Sequence, residues 1–582
     1  MQFFQPCRCL WQGRLVLETD AVLKPLLEII YGPARAPEAL RRIKPVIEAF
    51  PRQERNKREF FSAADTILIT YGNTLKHDGR PPLAVLGEFG REFLRGSFSA
   101  VHLLPFFPYS SDDGFSVTDY YTVNPELGTW DDVAGLRRDF ELMVDCVLNH
   151  ISSRSDWFMR YLAGEEGFSD LAIETTPGEH LKNVTRPRTT PLLTEFTKKD
   201  GTRVYVWTTF SADQVDLNYR SLDVLEKMID VLLFYVKHGA SLIRLDAIAY
   251  LWKEPGTSCI HLPQTHAMVK LFRAILDIVA PDTRIVTETN VPHAENISYF
   301  GNGSDEAQMV YNFTLPPLLL YSFLREDTTA FSEWAATLRL PSDKTAFLNF
   351  TASHDGIGVR PLEGILPESE AELLIRHTID NGGQVSYKSN PDGSKTAYEL
   401  NITYMDALSP ASDDARTRAS RFLASCAIQF ALPGVPAVYI HSLLGSRNWT
   451  EGVRMTGMAR TINRQTLQYD DVMAEIKTPG TLRNMVFHGC IGMLETRRRQ
   501  PAFHPNAPFE VLMLDPGVFA IRRWCDSQNI LAVTNVSGKP VSLDLPLPGT
   551  GPFTDLVSGR VVSPGVVTLA PFRFLWLTDN PC

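Results

Sequence analysis

At 582 residues the chain exceeds one ordinary hydrophobic core, so a large domain with accessories is expected. It is 44% hydrophobic and 21% charged, as water-soluble globular proteins are, and no apolar run approaches the roughly 20 residues of a membrane span. A formal net charge of -10 argues against the basic stripe of a nucleic-acid surface, although a local arginine cluster can still hold an anion.

The N-terminal MQFFQPCRCLW lacks a charged start followed by a clean apolar stretch, so no signal peptide is read and a cytoplasmic protein with reduced thiols is expected. Of eight cysteines only Cys7 and Cys9 lie close together, and no second pair completes a metal site. Cys146 and Cys426 sit among apolar residues and read as small core side chains. Residues 1–62 read as a helical extension, because ALRRIKPVIEAF (Ala39 to Phe50) and QERNKREFFSAA (Gln53 to Ala64) have helical spacing.

Residues 63–500 then carry a series of apolar, β-branched runs. They are TILITYG (Thr66 to Gly72), AVHLLPFF (Ala100 to Phe107), LMVDCVLN (Leu142 to Asn149), SLIRLDAI (Ser241 to Ile248), RIVTETN (Arg284 to Asn290), QMVYNF (Gln308 to Phe313), TAFLNFTASHD (Thr345 to Asp355) and PAVYIH (Pro436 to His441). Helical stretches such as DVLEKMIDVLLFYVKHG (Asp223 to Gly239) separate most of them, which predicts an α/β fold, a (β/α)8 TIM barrel. Two connections are long: about 151–220 after the third strand, expected to be an inserted domain, and about 360–410 after the seventh, expected to be an active-site loop. Residues 501–582 turn to short apolar strands with Gly, Pro and Ser turns, a C-terminal antiparallel β-domain.

Carboxylates and a histidine close four of these runs: DCVLNH (Asp145 to His150), IRLDA (Ile243 to Ala247), VTETN (Val286 to Asn290) and ASHDG (Ala352 to Gly356). The C-terminal ends of barrel strands are where such barrels place their chemistry. Retaining cleavage of a glycoside needs a carboxylate nucleophile and a carboxyl proton donor about 5–5.5 Å apart. Asp246 is the candidate nucleophile, with Arg244 on the same face of its strand to keep it ionised. Glu288 is the candidate acid/base, raised toward neutrality by partial burial. Asp355, beside His354, is expected to hold sugar hydroxyls and support an oxocarbenium-like transition state, and Asn149 and His150 to bond the same ring.

These motifs, with DDGFSVTDYYTVNPELGTWDD (Asp112 to Asp132), resemble the α-amylase superfamily. GASLIRLDAIAYLWKEPGTSCIH (Gly239 to His261), NFTLPPLLL (Asn312 to Leu320) and SHDGIGV (Ser353 to Val359) are more narrowly similar to its sucrose phosphorylase branch, over about 65–580. That resemblance implies the barrel with its inserted and C-terminal domains, and the three roles given above to Asp246, Glu288 and Asp355. It further implies that Asp112, Phe115, His150, Phe210, Arg244, His354 and Arg460 surround the glucosyl group.

Phosphate attack beside ionised carboxylates needs cationic compensation, and arginine's planar fork suits phosphate. TRPR supplies Arg186 and Arg188 and resembles the branch's acceptor-site loop, while Tyr398 matches the tyrosine of its mobile phosphate loop. The extra N-terminal segment, TRPRTTPLLTEF, NPDG and LGSRN make the chain most similar to the glucosylglycerate phosphorylases, a family of hexosyltransferases. An anionic acceptor would want a cationic mouth of Arg186, Arg188, Lys388 and Arg447, and Glu399 stands where the sucrose enzymes are expected to have glutamine. Phosphorylases of sucrose, sucrose 6-phosphate or glucosylglycerol share the glucosyl half and stay open, as does an α-glucosidase or transglucosylase. The resemblance implies no metal and no organic cofactor, with inorganic phosphate as co-substrate. Small molecules are the expected partners, without nucleic acid or membrane, and nothing in the sequence sets the oligomeric state.

Overall fold

The β-branched runs form strands buried on both faces, the state of a parallel sheet covered by helices. The structure, a computed structural model, describes residues 8–56, 59–390, 392–547 and 552–579. The barrel strands are β1 (Ile67–Thr70), β2 (Ala100–Leu103), β3 (Glu141–Cys146), β4 (Ala240–Leu245), β5 (Arg284–Thr287), β6 (Met309–Tyr311), β7 (Ala346–Asn349) and β8 (Val435–Tyr439). They pair in parallel in chain order, and β8 returns to β1, setting Ile67 against Ala437 and Ile69 against Tyr439. The expected (β/α)8 barrel is therefore present, filled by residues such as Ile69, His102, Met143 and Leu348. No helix among the described residues is long and apolar enough to cross a membrane.

Helices α1 (Arg8–Tyr31) and α2 (Ala36–Ala49) lie on the outer barrel helices α3 (Leu222–Lys237) and α4 (Pro263–Val279), with α1 on α4 and α2 on α3. Leu23, Leu27, Ile43 and Ile47 are buried there, Arg42 pairs with Asp223 and Glu226, and Tyr31 donates to the Tyr219 carbonyl at 2.8 Å. The expected helix over Gln53 to Ala64 is absent from its described residues, which run without regular structure. Pro51 follows the end of α2, and the barrel takes the donors a helix would have used. Gln53 N–H bonds the Val279 carbonyl and Asn56 N–H the Asp282 carboxylate, both at 2.8 Å, while Phe60 and Phe61 are buried. Cys146 and Cys426 are buried free thiols, whereas Cys7 and the side chain of Cys9 lie outside the described residues.

After β3 the chain makes two small antiparallel pairs, His150–Ser152 with Gln214–Asp216 and Leu193–Thr197 with Arg203–Trp207. After β7 it forms a three-stranded sheet whose central strand, Lys395–Asn401, lies between Ile357–Gly358 and Gln384–Ser389. The C-terminal region forms a six-stranded sheet of antiparallel pairs, from Phe509–Asp515 to Phe574–Thr578, around Val518, Ala520, Leu531, Val533 and Leu577.

Candidate active site

Asp246 follows the last residue of β4 and Glu288 the last residue of β5, so both stand at the C-terminal rim of the barrel. Asp355 reaches the same place on the loop beyond β7. All three line one cavity with Arg244, His354 and Arg460. Asp112, Phe115, His150 and Phe210 form another part of its wall, and Arg188 and Tyr398 a third.

Arg244 organises the electrostatics. Its Nη1 lies 2.8 Å from Asp246 Oδ1 and also pairs with Asp145, while Nη2 stands 3.8 Å from Glu288 Oε2. Against the cost of its burial, Asp145 is held below the usual carboxylate range by Arg244 and by His102, whose Nε2 is 2.7 Å away. Burial pushes both Asp246 and Glu288 up to about 7, and Arg244 opposes this in each. Because the guanidinium touches Asp246 and stands off Glu288, Asp246 ionises first and Glu288 keeps the proton of the pair. Ala247 takes a left-handed conformation at φ 49°, and its N–H donates to Glu288 Oε2 at 3.1 Å. The strained turn after the candidate nucleophile thus also fixes the candidate acid.

Asp355 is buried too, yet Arg460 Nη1 at 2.8 Å and Arg464 Nη2 at 3.8 Å drive it far below the ordinary carboxylate range. Burial keeps His354 neutral, and its ring stacks on Phe115 at 4.8 Å. His150, also depressed by burial, lies with Nε2 2.9 Å from the Phe115 carbonyl oxygen. The cavity therefore pairs an ionised carboxylate with a protonated one and adds a third that stays charged. This is the set a double displacement at a sugar carbon requires.

Other expected residues fall elsewhere. Pro187 separates the two arginines of TRPR: Arg188 lines the cavity, while Arg186 donates to the Thr190 carbonyl and is no part of the wall. Arg447 pairs with Asp406, and Lys388 stands outside the cavity wall, 4.0 Å from Glu363. Asn149 is buried behind the wall, where Lys253 Nζ reaches Asn149 Oδ1 at 2.6 Å and Asp216 Oδ2 at 2.5 Å. An ammonium group supplies the positive charge there.

The sequence reading also missed wall residues. Gln214, Tyr250 and Asn290 line the cavity, and Gln214 Nε2 lies 3.2 Å from Asp112 Oδ2. Arg464 follows Arg460 by about one helical turn, a spacing that could have flagged it. It holds Asp113 at 2.7 Å and the His354 carbonyl at 2.9 Å. Glu399 accepts a two-pronged contact from Arg460, at 2.6 Å from Nη2 and 3.1 Å from Nε, which links the loop after β7 to Asp355. Arg188 lies over the Tyr398 ring at 5.2 Å, its buried Nη1 has no hydrogen-bond partner among the described residues, and Glu399 Oε1 is 3.8 Å away.

A closed parallel barrel with this carboxylate trio at its C-terminal rim defines the barrel glycosidase class. Residues 96–351 match the alpha amylase catalytic domain family. The chain is 49% identical to the glucosylglycerate phosphorylase of Spirochaeta thermophila, over 96% of this chain and 98% of that one. It is 44% identical to the glucosylglycerate phosphorylase of Escherichia coli, over 95% and 98% respectively. The crystal structure of sucrose 6F-phosphate phosphorylase from Thermoanaerobacter thermosaccharolyticum shares the fold, with a TM-score of 0.72 at 23% identity over 86% of this chain and 98% of that one. The chain belongs to the α-amylase superfamily and, within it, to the glucosylglycerate phosphorylase family.

Proposed function

We propose that the protein is a retaining phosphorylase that reversibly converts 2-O-α-glucosyl-D-glycerate and phosphate into α-D-glucose 1-phosphate and D-glycerate. The observation that carries the phosphate half is Arg188, a guanidinium with an unpartnered buried nitrogen in the same cavity as Asp246 and Glu288. Hydrolysis needs no such cation, whereas an anionic nucleophile beside two carboxyl groups does. In the first step the Asp246 carboxylate attacks the anomeric carbon and Glu288 gives its proton to the departing glycerate oxygen. In the second, a phosphate oxygen attacks that carbon from the opposite face, Glu288 takes up the phosphate hydroxyl proton, the bond to Asp246 breaks, and the α-configuration is restored. No organic cofactor takes part, and a cytoplasmic location goes with this reading; cell fractionation that found the protein outside the cytoplasm would reject that part.

The test runs the enzyme in reverse with α-glucose 1-phosphate and D-glycerate, glycerol, fructose or fructose 6-phosphate, following phosphate release. Preference for D-glycerate supports the assignment. Preference for another acceptor keeps the phosphorylase mechanism and replaces the substrate, and release no faster than without acceptor points to hydrolysis. Arg188→Ala is expected to lose phosphorolysis by about a hundredfold, the scale of a lost charge-assisted contact, while slow hydrolysis persists. Full phosphorolysis by that variant would refute the role given to Arg188.

A further inference from the structure

The proposed reaction brings two anions to one place, phosphate and the carboxylate of the hydroxy acid, and the carboxylate must be recognised beyond the oxygen that bonds the sugar. Two further cations stand just outside the cavity wall. From Gly356, which lines the cavity, the chain continues as Ile357–Gly358 along Leu400 and Glu399. Gly358 approaches the wall residue Asn290 so closely that a Cβ would sit 2.3 Å from its Oδ1. Val359 N–H then donates to the Tyr398 carbonyl at 3.1 Å, and Arg360 follows. On the other edge of the same central strand, Lys388 lies opposite Thr396. Arg360 and Lys388 therefore flank the strand that delivers Tyr398 to the site.

Among the described residues, neither cation has a carboxylate within 3.5 Å. The Arg360 side chain is 11% exposed, its Nε is buried without a hydrogen-bond partner among the described residues, and its nearest carboxylate oxygens are on Glu363 at 3.6 Å and Glu295 at 4.0 Å. Lys388 is 19% exposed, with Glu363 4.0 Å from Nζ. Burial first, and then the positive charge of Arg360, lower the Lys388 pKa, while Tyr250 in the cavity wall feels both Arg360 and Arg188. Two largely buried like charges cost free energy unless an anion meets them. Glu295 and Glu363 are about half exposed, at 45% and 53%, and can yield to one.

We propose that Arg360 and Lys388 bind the carboxylate of the acceptor and so select an α-hydroxy acid over a neutral polyol. This rests on the anionic acceptor of the proposed function. Arg360 offers the planar fork that matches a carboxylate, and Lys388 completes the charge.

The experiment compares kcat/KM for D-glycerate with that for glycerol, at fixed α-glucose 1-phosphate, in the parent and in Arg360→Gln and Lys388→Gln. If the parent does not prefer D-glycerate, the acceptor assignment itself fails, whatever the variants do. If it does, each variant is expected to lower the glycerate-to-glycerol ratio by about tenfold or more, the worth of one hydrogen bond to a charged group. A purely structural defect would lower both values together and leave the ratio in place, and an unchanged ratio overturns the proposal. Should Arg360→Gln fail to fold, Lys388→Gln decides on its own. Arg360→Lys, which keeps the charge without the fork, is expected to recover part of the ratio by lowering KM for glycerate.

Discussion

Asp246 and Glu288 share one guanidinium and one proton, and their burial has a stability consequence that follows in sign from linkage. Glu288 is raised from its ordinary 4.5 to about 7, with burial the first cause. Between those values the folded state holds a proton that the unfolded chain gives up. The contribution of this group is fully present below pH 4.5 and is lost as pH rises through about 7. Glu288→Gln cannot ionise, so it removes that loss. The variant is expected to be inactive in glucoside cleavage, and its Tm relative to the parent should rise by about 1–3 °C between pH 5 and pH 8. Scanning calorimetry of both proteins at the two pH values checks this, and a difference that shrinks as pH rises would contradict the protonated state given to Glu288.

Elements shape the candidate cavity as much as side chains do. Asp112 and Asp113 are left-handed at φ 53° and 47°, and Gly114 follows at φ 112°. A Cβ on Gly114 would lie 2.6 Å from the Pro105 carbonyl oxygen, which is backbone and cannot easily give way. Phe115, next in the chain, stacks on His354, and its carbonyl approaches His150. Gly114→Ala is expected to move Asp112 and Phe115 and to cut kcat/KM by about tenfold or more, with circular dichroism unchanged. Steady-state kinetics with α-glucose 1-phosphate reads it, and parent-like kinetics would mean the turn has slack. The same scale explains what the sequence made legible. Strands buried on both faces leave continuous β-branched runs, so the barrel could be read, and Asp246 and Glu288 stood out because each directly follows such a run. Gln53 to Ala64 misled because charged residues around Phe60 and Phe61 mimic a helix period, while the Gln53 and Asn56 N–H groups donate to the Val279 carbonyl and the Asp282 carboxylate. The Arg460 contact to Glu399 and the Gln214 contact to Asp112 join segments distant in sequence, so no local pattern announces them. Arg188 and Arg186 look equivalent in TRPR, and only the path of the folded loop separates the one in the cavity from the other.

At the scale of the whole molecule, two buried arginines join the parts, with no carboxylate in direct contact among the described residues. Arg497, at the end of the helix Leu482–Arg497, donates to the carbonyls of Phe430, Ala63, Gly434 and Phe503 at 3.0, 2.7, 3.2 and 3.0 Å. Those carbonyls belong to a barrel helix, the connector from the N-terminal extension, the approach to β8 and the approach to the C-terminal sheet. Arg523, inside that sheet, donates to Ala431 at 2.8 Å and His504 at 2.7 Å. Burial pulls Arg497 down to about 10 and Arg523 to about 9, so both are still charged at neutral pH. Arg497 bonds carbonyls from the connector of the extension, the barrel and the approach to the C-terminal sheet, so these parts are expected to melt together. Arg497→Met would leave several dry carbonyls, at a cost on the order of 3–5 kcal/mol. For a chain of 582 residues that corresponds to a fall in Tm of roughly 2–4 °C. With the shared tie removed, calorimetry is expected to resolve more than one transition, the parts nearest Ala63 and Phe503 melting ahead of the barrel. A single transition at the parent Tm would instead place the coupling in the apolar contacts around Phe503 and Trp576, whose rings meet at 4.9 Å. Phe503→Leu would then produce the split that Arg497→Met did not.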